Sequence, residues 1–290
     1  MKKGASICLL FLVLSGSAAG QSPIADAKLP TNVRQAKLES KLMGRSMPYR
    51  VILPVGYAKA ATKRYPVIYL LHGLFGSHEN WTTLTKLPSY AQNYAAIIVT
   101  PEGENGWYTD SPTKPPNRYE DYIIKELIPE IDAKYRTNAT RGGRAIAGLS
   151  MGGYGALKYG VKYPEMFVLV GSFSGALGAA NFSGGSGVMA AIFKSIDEAF
   201  GPAGSETRKN NDLFSLVREA SAEKIKAFPF IYLDCGTEDF LFQNNREFVA
   251  VLNEKKVPHE FRELPGGHTW PYWEKQVVEF LRLSERFLNK

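Results

Sequence analysis

The stretch AGLSMGGYGAL, from Ala147 to Leu157, places one serine between glycines at a fixed spacing. Gly148, Ser150 and Gly152 form the pattern Gly-x-Ser-x-Gly. The apolar run RAIAGL precedes the serine, and the helical pattern GGYGALKYGVKYP follows it. Strand, sharp turn and helix in this order are typical of a turn that presents a serine hydroxyl at a strand end. The alternative is a plain glycine-rich turn, and the short pattern by itself does not separate the two.

The glycines have a steric explanation if this turn is sharp. We expect Ser150 to adopt a strained backbone conformation, which side chains two positions away would crowd. Its hydroxyl would then face the cleft at the strand ends, beside N–H groups at the start of the next helix. A nucleophilic serine requires this arrangement.

The rest of the chain supplies the fold that such a turn needs. Five apolar runs end at small or polar residues: YPVIYLLHG, AAIIVTPEG, GRAIAGLS, FVLVGSFSG and FPFIYLDCG. Runs of this kind are typical of strands that are buried on both faces of a parallel sheet. Helical patterns alternate with them, as in RYEDYIIKELIPEIDAKY, NNREFVAVLNEKKV and YWEKQVVEFLRLSERFL. The alternation predicts an α/β fold, with a mainly parallel central sheet flanked by helices.

Two residues downstream complete a catalytic constellation. Asp239 lies in DCGTEDF just past a strand end, and His268 lies in LPGGHTW before the last helix. A serine hydroxyl needs an imidazole to take its proton as it attacks a carbonyl. The imidazole in turn needs a buried carboxylate to fix its tautomer. The order Ser150, Asp239, His268 is that of the α/β-hydrolases, so the sequence predicts these three as the triad.

The other candidates for base and acid can be weighed one by one. Of the four histidines, His259 alternates within a strand and His78 lies in a predicted surface turn, GSHENW. His72 ends the strand VIYLLHG, and we expect it to shape the loop that binds the oxyanion. For the acid, Glu238 is the second candidate, whereas Asp234 still lies in its strand.

An oxyanion hole needs two backbone donors. The N–H of Met151 directly follows the nucleophile, and Leu74 lies in the loop after YLLHG. Gly73 and Gly76 would let this backbone approach a substrate oxygen closely. We therefore predict Leu74 and Met151 as the donors.

The segment NGWYTDSP follows the strand AAIIVTPEG and should lie beside the cleft. We predict that Trp107 and Tyr108 bind substrate, one lining the acyl pocket and the other stacking on a ring. The alternative is that both side chains pack their loop onto the core. Near His268, Trp270 and Trp273 should pack the last helix, and Trp270 is a weaker pocket candidate.

The first twenty residues differ from the rest. Lys2 and Lys3 precede the apolar run ASICLLFLVL, and the small residues SGSAAG follow it. This order predicts a signal peptide over residues 1–20, cleaved after Ala19 or Gly20. An uncleaved anchor is the alternative, but the run is short for a membrane span. We expect a secreted or periplasmic protein, with no stable membrane insertion after cleavage.

Composition argues against several classes of partner. Of the 290 residues, 44% are hydrophobic and 22% charged, as in ordinary globular proteins. Loss of the two signal-peptide lysines would lower the formal net charge from +7 by two, to +5. This charge is spread without a dense basic run, so we expect no nucleic-acid partner. No metal-ligand cluster and no phosphate-binding loop occur in the sequence, which implies no metal and no cofactor. Cys235, alone after cleavage, is expected to be a small buried residue.

Several motifs together carry a family resemblance. LLHGLFGSHENW, EGENGWYTDSP, AGLSMGGYGAL, CGTEDFL and GGHTWPYW resemble the esterase D group of α/β-hydrolases over residues 40 to 288. That group includes S-formylglutathione hydrolases, tributyrin-type, feruloyl, acetylxylan and siderophore esterases, and mycolyltransferases. The resemblance implies the α/β-hydrolase fold, Ser150, Asp239 and His268 as the triad, and Leu74 and Met151 as oxyanion donors.

The sequence also predicts a domain organisation. Residues 21–37 would form a flexible lead-in, and residues 38–290 a single α/β-hydrolase catalytic domain. Residues 176–228, rich in glycine, alanine and serine, are expected to be a cap-like insertion near the active site. Met189, Ile192 and Phe193 are its candidates for facing the cleft, and the alternative is that they pack the insertion onto the sheet.

Two departures from the group narrow the expected activity. S-formylglutathione hydrolases are typically cytosolic, so a predicted signal peptide argues against that thioesterase activity. Mycolyltransferases have a long lipid channel, and the sequence contains no apolar insertion long enough to suggest one. We expect a secreted serine carboxylesterase for short-chain acyl or feruloyl esters, on small molecules or plant cell-wall polysaccharide, working through an acyl-enzyme. The alternatives are an acyltransferase, an S-formylglutathione-type thioesterase, and a catalytically silent binding protein. The sequence does not indicate an oligomeric state.

Overall fold

The computed structural model describes residues 29–288, apart from the side chain of Val188. Its eight strands form one sheet with the order β1-β2-β4-β3-β5-β6-β7-β8. They are β1 Val33–Ser40, β2 Arg45–Ile52, β3 Val67–Leu71, β4 Ile97–Pro101, β5 Arg144–Leu149, β6 Leu169–Phe173, β7 Phe230–Gly236 and β8 His259–Leu264. β1 and β2 pair antiparallel, as do β2 and β4, and all further pairs are parallel. The predicted α/β fold with a mainly parallel sheet is confirmed.

Helices cover both faces of this sheet. They are α1 Asn80–Thr83, α2 Leu87–Tyr90, α3 Tyr119–Asp121, α4 Ile128–Lys134, α5 Met151–Lys162, α6 Ala190–Phe200, α7 Glu206–Lys209, α8 Leu213–Arg218, α9 Ala222–Ala227, α10 Phe242–Glu254 and α11 Trp270–Ser284. A π-helical stretch, Tyr122–Leu127, joins α3 to α4. Across the part of the chain that the structure describes, no helix has both the length and the apolar character to cross a bilayer.

The sheet separates two hydrophobic cores. Tyr69 of β3 lies in the core that contains Leu157 of α5, whereas its neighbour Ile68 lies in the core that contains Val277 of α11. All five residues of β3, and all five of β4, are buried. Strands covered on both faces appear in the sequence as continuous apolar runs, which is why these strands were predictable.

The N-terminal lead-in needs a correction. The prediction of flexibility over residues 21–37 is wrong for its last part, because Val33 begins β1 and pairs with Ile52 of β2. β1 is an edge strand with mostly solvent-facing residues, so its sequence lacks the apolar run that marks the inner strands. The predicted signal peptide, residues 1–20, lies outside the described residues.

The glycine-rich segment between β6 and β7 is largely helical. Residues 176–228 contain helices α6 to α9. At the start of this segment, before α6, four apolar residues are buried: Ala176, Leu177, Ala179 and Ala180. Ile192 and Phe193 of α6 pack against the core on the α5 face. The segment is therefore anchored to the body of the molecule by apolar contacts.

Candidate active site

Ser150 lies in a sharp turn between β5 and α5. Its backbone has φ 53° and ψ −116°, in a region that residues with a side chain rarely occupy. Such a conformation costs on the order of 1–3 kcal/mol and persists only where neighbouring contacts hold it. Here the Ser150 N–H donates to the Phe173 carbonyl at 3.0 Å, and the Ser150 carbonyl accepts from the Ala176 N–H at 3.1 Å. β6 and the residues after it thus fix the turn.

The flanking glycines are needed for backbone packing. A Cβ on Gly148 would lie 2.5 Å from the carbonyl carbon of Gly152. A Cβ on Gly152 would lie 2.6 Å from the carbonyl oxygens of both Leu71 and His72. The expected crowding is therefore real, but it falls between the turn and β3 and not on the serine side chain. The glycines let α5 begin directly against the end of β3.

His268 joins Ser150 to Asp239. Its Nδ1 lies 2.8 Å from Asp239 Oδ2, and its Nε2 lies 3.0 Å from Ser150 Oγ. An ionised carboxylate only accepts hydrogen bonds, so Nδ1 carries the proton and Nε2 is free to accept from the serine hydroxyl. Asp239 is buried, and its second oxygen, Oδ1, accepts from the Leu241 N–H at 2.8 Å. The three predicted residues are brought together in the order that proton transfer requires.

The structure also places the competing carboxylates. Glu238 is exposed, and Asp234 is fully buried inside β7. Burial raises the pKa of Asp234 well above its ordinary value. Cys235, next to it, is buried and free, and burial raises the pKa of its thiol, so it is a poor nucleophile.

The remaining histidines have structural partners. His259 Nδ1 donates to the Val257 carbonyl at 2.7 Å. The expectation that His78 lies in a surface turn is wrong, because the residue is buried and its Nδ1 lies 2.8 Å from Glu102 Oε2. His72 is buried and its Nδ1 donates to the Gly73 carbonyl at 2.8 Å. His72 therefore contacts the loop that it was expected to shape.

The two predicted oxyanion donors both belong to residues near Ser150. Met151 is the first residue of α5, where N–H groups have no helical acceptor. Within residues 29–288, neither the Met151 N–H nor the Leu74 N–H donates to a protein acceptor. Leu74 and Ser150 line the same cavity. Two N–H groups are thus available beside the serine hydroxyl.

The cavity at Ser150 has a volume of about 250 Å³. Its lining comes from the segment after β3, from the Ser150 turn and from the start of α11: Gly73, Leu74, Phe75, Gly76, Asn80, Leu84, Leu149, Ser150, His268, Trp270 and Trp273. Trp270 meets the Trp81 ring edge-on, at 5.4 Å between centroids. Phe75, Leu84 and Phe240 are large apolar side chains left exposed, at 63%, 46% and 54%. The lining combines apolar side chains with the polar side chains of Asn80, Ser150 and His268.

The prediction that Trp107 and Tyr108 bind substrate is wrong. Trp107 is 3% exposed and its Nε1–H donates to Ser195 Oγ at 3.0 Å. Tyr108 is fully buried and its hydroxyl donates to the His72 carbonyl at 3.0 Å. Both residues have positive φ, 52° and 51°, which turns two adjacent side chains into the core. Only the tertiary structure shows this, because an extended pair would have opposite directions.

The expected wall from residues 176–228 is also absent from the Ser150 cavity. Its described lining residues all come from residues 73–84, 149–150 and 268–273. Phe193 lines a separate open cavity together with Gly184 and Gly185. The residues that sequence reasoning missed are Phe75, Asn80 and Leu84, and the signal that could have found them is their position in the segment that follows His72 and Gly73 at the end of β3.

Comparisons with known proteins identify the family to which the chain belongs. The profile of the putative esterase family matches residues 40–283. The chain is 29% identical over 255 residues to an acetyl esterase of Caldicellulosiruptor saccharolyticus, covering 85% of this chain and 95% of that enzyme. It is 35% identical over 156 residues to an endo-1,4-beta-xylanase/feruloyl esterase of Xylanibacter ruminicola, covering 50% of this chain and 22% of that protein.

A solved structure extends the likeness to the whole fold. A ferulic acid esterase superposes with a TM-score of 0.76 at 29% identity, covering 88% of this chain and 98% of that one. The fold is that of the α/β-hydrolases, and the predicted resemblance to esterases is confirmed. This chain is therefore a carboxylic ester hydrolase that belongs to the putative esterase family.

Proposed function

We propose that the protein is a secreted serine carboxylesterase in which Ser150 is the nucleophile, His268 the general base and Asp239 its orienting acid. The observation that carries the proposal is the imidazole of His268, 3.0 Å from Ser150 Oγ and 2.8 Å from Asp239 Oδ2. The strained turn at Ser150 supports it, because such strain is concentrated at functional sites.

The geometry supports an acyl-enzyme reaction in two halves. Ser150 Oγ attacks the ester carbonyl while His268 Nε2 takes the hydroxyl proton. The carbonyl oxygen becomes an oxyanion that accepts from the N–H groups of Leu74 and Met151. His268 then gives its proton to the departing alcohol, which leaves the acyl group on Ser150. Water, deprotonated by the same imidazole, releases the acid and restores the serine.

The cavity favours a short or aromatic acyl group. The Ser150 cavity has a volume of about 250 Å³. An acetyl group would fill a small part of this space, and a feruloyl group more of it. Leu84, Trp270 and Trp273 supply apolar walls, while Asn80 supplies a polar group for a ring oxygen. The relatives named acetyl esterase and ferulic acid esterase correspond to the smaller and the larger of these two acyl groups.

The proposal extends to plant cell-wall carbohydrate outside the cell. It rests on the predicted signal peptide and on the relative whose name joins a xylanase to a feruloyl esterase. Expression of the full chain in a secreting host, with N-terminal sequencing of the product, tests the export. A product that begins at Gly20 or Gln21 would support it, and an intact N-terminus in the cell pellet would contradict it.

The catalytic assignment is tested by Ser150→Ala. We expect stoichiometric fluorophosphonate labelling of Ser150 in the wild type, read by peptide mass spectrometry, and none in the variant. Ester turnover by the variant should fall to no more than the ~10³-fold over the uncatalysed rate that an oxyanion hole alone can give. Full turnover in a folded variant would assign the nucleophile elsewhere.

The same assay separates the substrate classes. p-Nitrophenyl butyrate, methyl ferulate, acetylated xylan and S-formylglutathione would be compared as substrates, with a sugar acceptor added to detect acyl transfer. We expect hydrolysis of the oxygen esters to dominate. Faster turnover of the thioester, or acyl-sugar as the main product, would favour the thioesterase or the acyltransferase instead.

A further inference from the structure

The segment Glu102–Tyr108, directly after β4, is strained without lining the Ser150 cavity. Glu104, Trp107 and Tyr108 all have positive φ, at 43°, 52° and 51°. Non-glycine residues rarely adopt such values, and a cluster of them indicates a functional constraint. The segment is conspicuous in the sequence as ENGWY, yet its aromatic side chains are buried.

Its polar side chains reach the loop that carries Leu74. Asn105 Oδ1 accepts from the Phe75 N–H at 2.8 Å. The Tyr108 hydroxyl donates to the His72 carbonyl at 3.0 Å. The Gly103 N–H lies 2.9 Å from His72 Nε2, and Glu102 Oε1 lies 3.1 Å from the same nitrogen. One segment therefore holds both ends of the stretch from His72 to Phe75.

These contacts fix the peptides on both sides of Leu74. On the N-terminal side, the Gly73 carbonyl accepts from His72 Nδ1 at 2.8 Å and from the Gly76 N–H at 3.1 Å. A trans peptide points its N–H opposite to its carbonyl, so the direction of the Leu74 N–H is set by this carbonyl. On the C-terminal side, Asn105 holds the N–H of Phe75, whose φ is 60°.

The same segment is bound to the helix that begins at Met151. The Tyr108 carbonyl accepts from Lys158 Nζ at 2.7 Å and from the Tyr159 hydroxyl at 2.8 Å. Lys158 and Tyr159 are both buried residues of α5. The two N–H groups beside Ser150 thus belong to elements that this segment ties together.

We propose that Asn105 and Tyr108 are positioning residues of the oxyanion hole, which aim the Leu74 N–H without contacting the substrate. This inference rests on the proposed function. A donor aimed away from the developing charge is lost to catalysis even though the backbone group is still present. The role also explains why Tyr108, which the sequence suggested as a substrate contact, is turned inward.

The test uses Tyr108→Phe and Asn105→Ala in the full chain, with Tyr122→Phe as the matched control. Tyr122 is a fully buried tyrosine of the same core, and its hydroxyl has no hydrogen-bond partner within residues 29–288. Each variant is titrated with a fluorophosphonate, so that kcat refers to active sites and not to total protein. The substrate is p-nitrophenyl butyrate, and the inhibitor is a trifluoromethyl ketone, whose hemiketal oxyanion occupies the hole.

Since a full oxyanion donor is worth about 10²- to 10³-fold in kcat, we expect Tyr108→Phe and Asn105→Ala each to lower kcat by about 10-fold. The inhibition constant of the ketone should rise by a similar factor, while KM changes by less than about twofold. Tyr122→Phe should leave kcat and the inhibition constant unchanged.

Two results would contradict the inference, and a third would contradict its premise. If kcat per titrated site and the ketone constant stay at wild-type values in both variants, whatever their melting temperature, the segment is only structural. If KM alone rises, Asn105 or Tyr108 contacts the substrate. A wild-type chain that turns over no ester would instead overturn the proposed function.

Discussion

Three carboxyl groups within six positions show how environment assigns a residue its role. Asp234 is enclosed in β7, Glu238 faces solvent, and Asp239 is buried at the edge of the cleft against His268. Only the last combines burial with a hydrogen bond to the imidazole that faces Ser150. At the residue scale, therefore, the assignment of the acid depends on a single 2.8 Å contact.

We predict that Asp239→Asn lowers kcat by roughly 10²- to 10⁴-fold, because an amide cannot hold the imidazole in the tautomer that accepts from serine. The measurement is kcat on p-nitrophenyl butyrate at matched folded fraction. Glu238→Gln, in the second candidate, is the control and should change kcat by less than about twofold, as for other exposed sites. Equal losses in the two variants would mean that the acid is misassigned.

At the scale of elements, the site is assembled by loops at one edge of the sheet. The loops after β3, β5, β7 and β8 supply Leu74, Ser150, Asp239 and His268. These strands run parallel, so their carboxyl ends meet at the same edge, where sites of open α/β sheets lie. The acyl cavity takes its walls from the segment after β3, which includes Asn80 of α1, and from the start of α11.

We predict that Trp270→Ala shifts selectivity away from aromatic acyl groups. Since an aromatic contact contributes about 0.5–1.5 kcal/mol beyond its burial, kcat/KM for methyl ferulate should fall by about 10-fold relative to p-nitrophenyl acetate. Phe193→Ala, in α6, is the control and should leave this ratio unchanged. If Phe193→Ala changes this ratio and Trp270→Ala does not, residues 176–228 determine the acyl selectivity instead.

At the scale of the whole molecule, stability comes from two apolar cores and not from a disulfide. The one cysteine within residues 29–288 is free and buried. The core on the α11 face encloses a carboxyl group, Asp234, beside Tyr232 and Tyr272. Burial of an acid without an ion pair is costly, and here it raises the pKa of Asp234 well above its ordinary value.

This buried acid predicts a pH dependence of unfolding. The pKa of Asp234 is raised in the folded state, so its contribution to stability is complete below the unfolded pKa and is lost as pH rises towards the folded pKa. The asparagine of Asp234→Asn does not titrate, so this variant lacks the pH-dependent contribution of Asp234. We therefore expect the free energy of unfolding of the variant, relative to wild type, to be larger at pH 7 than at pH 4, which means that the variant is relatively more stable at pH 7.

Urea unfolding at the two pH values measures this difference. Ester turnover per folded molecule should stay within about threefold of wild type, because Asp234 does not contact His268. A relative stability that is independent of pH would show that Asp234 is ionised in the folded protein, with a partner that the static contacts do not reveal.

The inner strands, the helices that alternate with them and the order of Ser150, Asp239 and His268 were predictable from sequence. The reason is that burial on both faces produces continuous apolar runs, and a sharp strand–helix turn requires glycines at fixed spacing. Edge strand β1 was not predictable in full, since an edge strand has no such run.

What only the tertiary structure decided is where side chains point. Trp107 and Tyr108 turn inward because both have positive φ. A positive φ at a tryptophan or tyrosine cannot be predicted from the residue type, since such residues rarely adopt it. The choice of Asp239 over Glu238 depends on which carboxylate reaches His268 across 29 positions of sequence. The cavity walls come from the segment after β3 and from the start of α11, which are far apart in the chain and meet at the carboxyl edge of the sheet. Sequence periodicity determines local structure and burial, whereas these directions depend on contacts between distant segments.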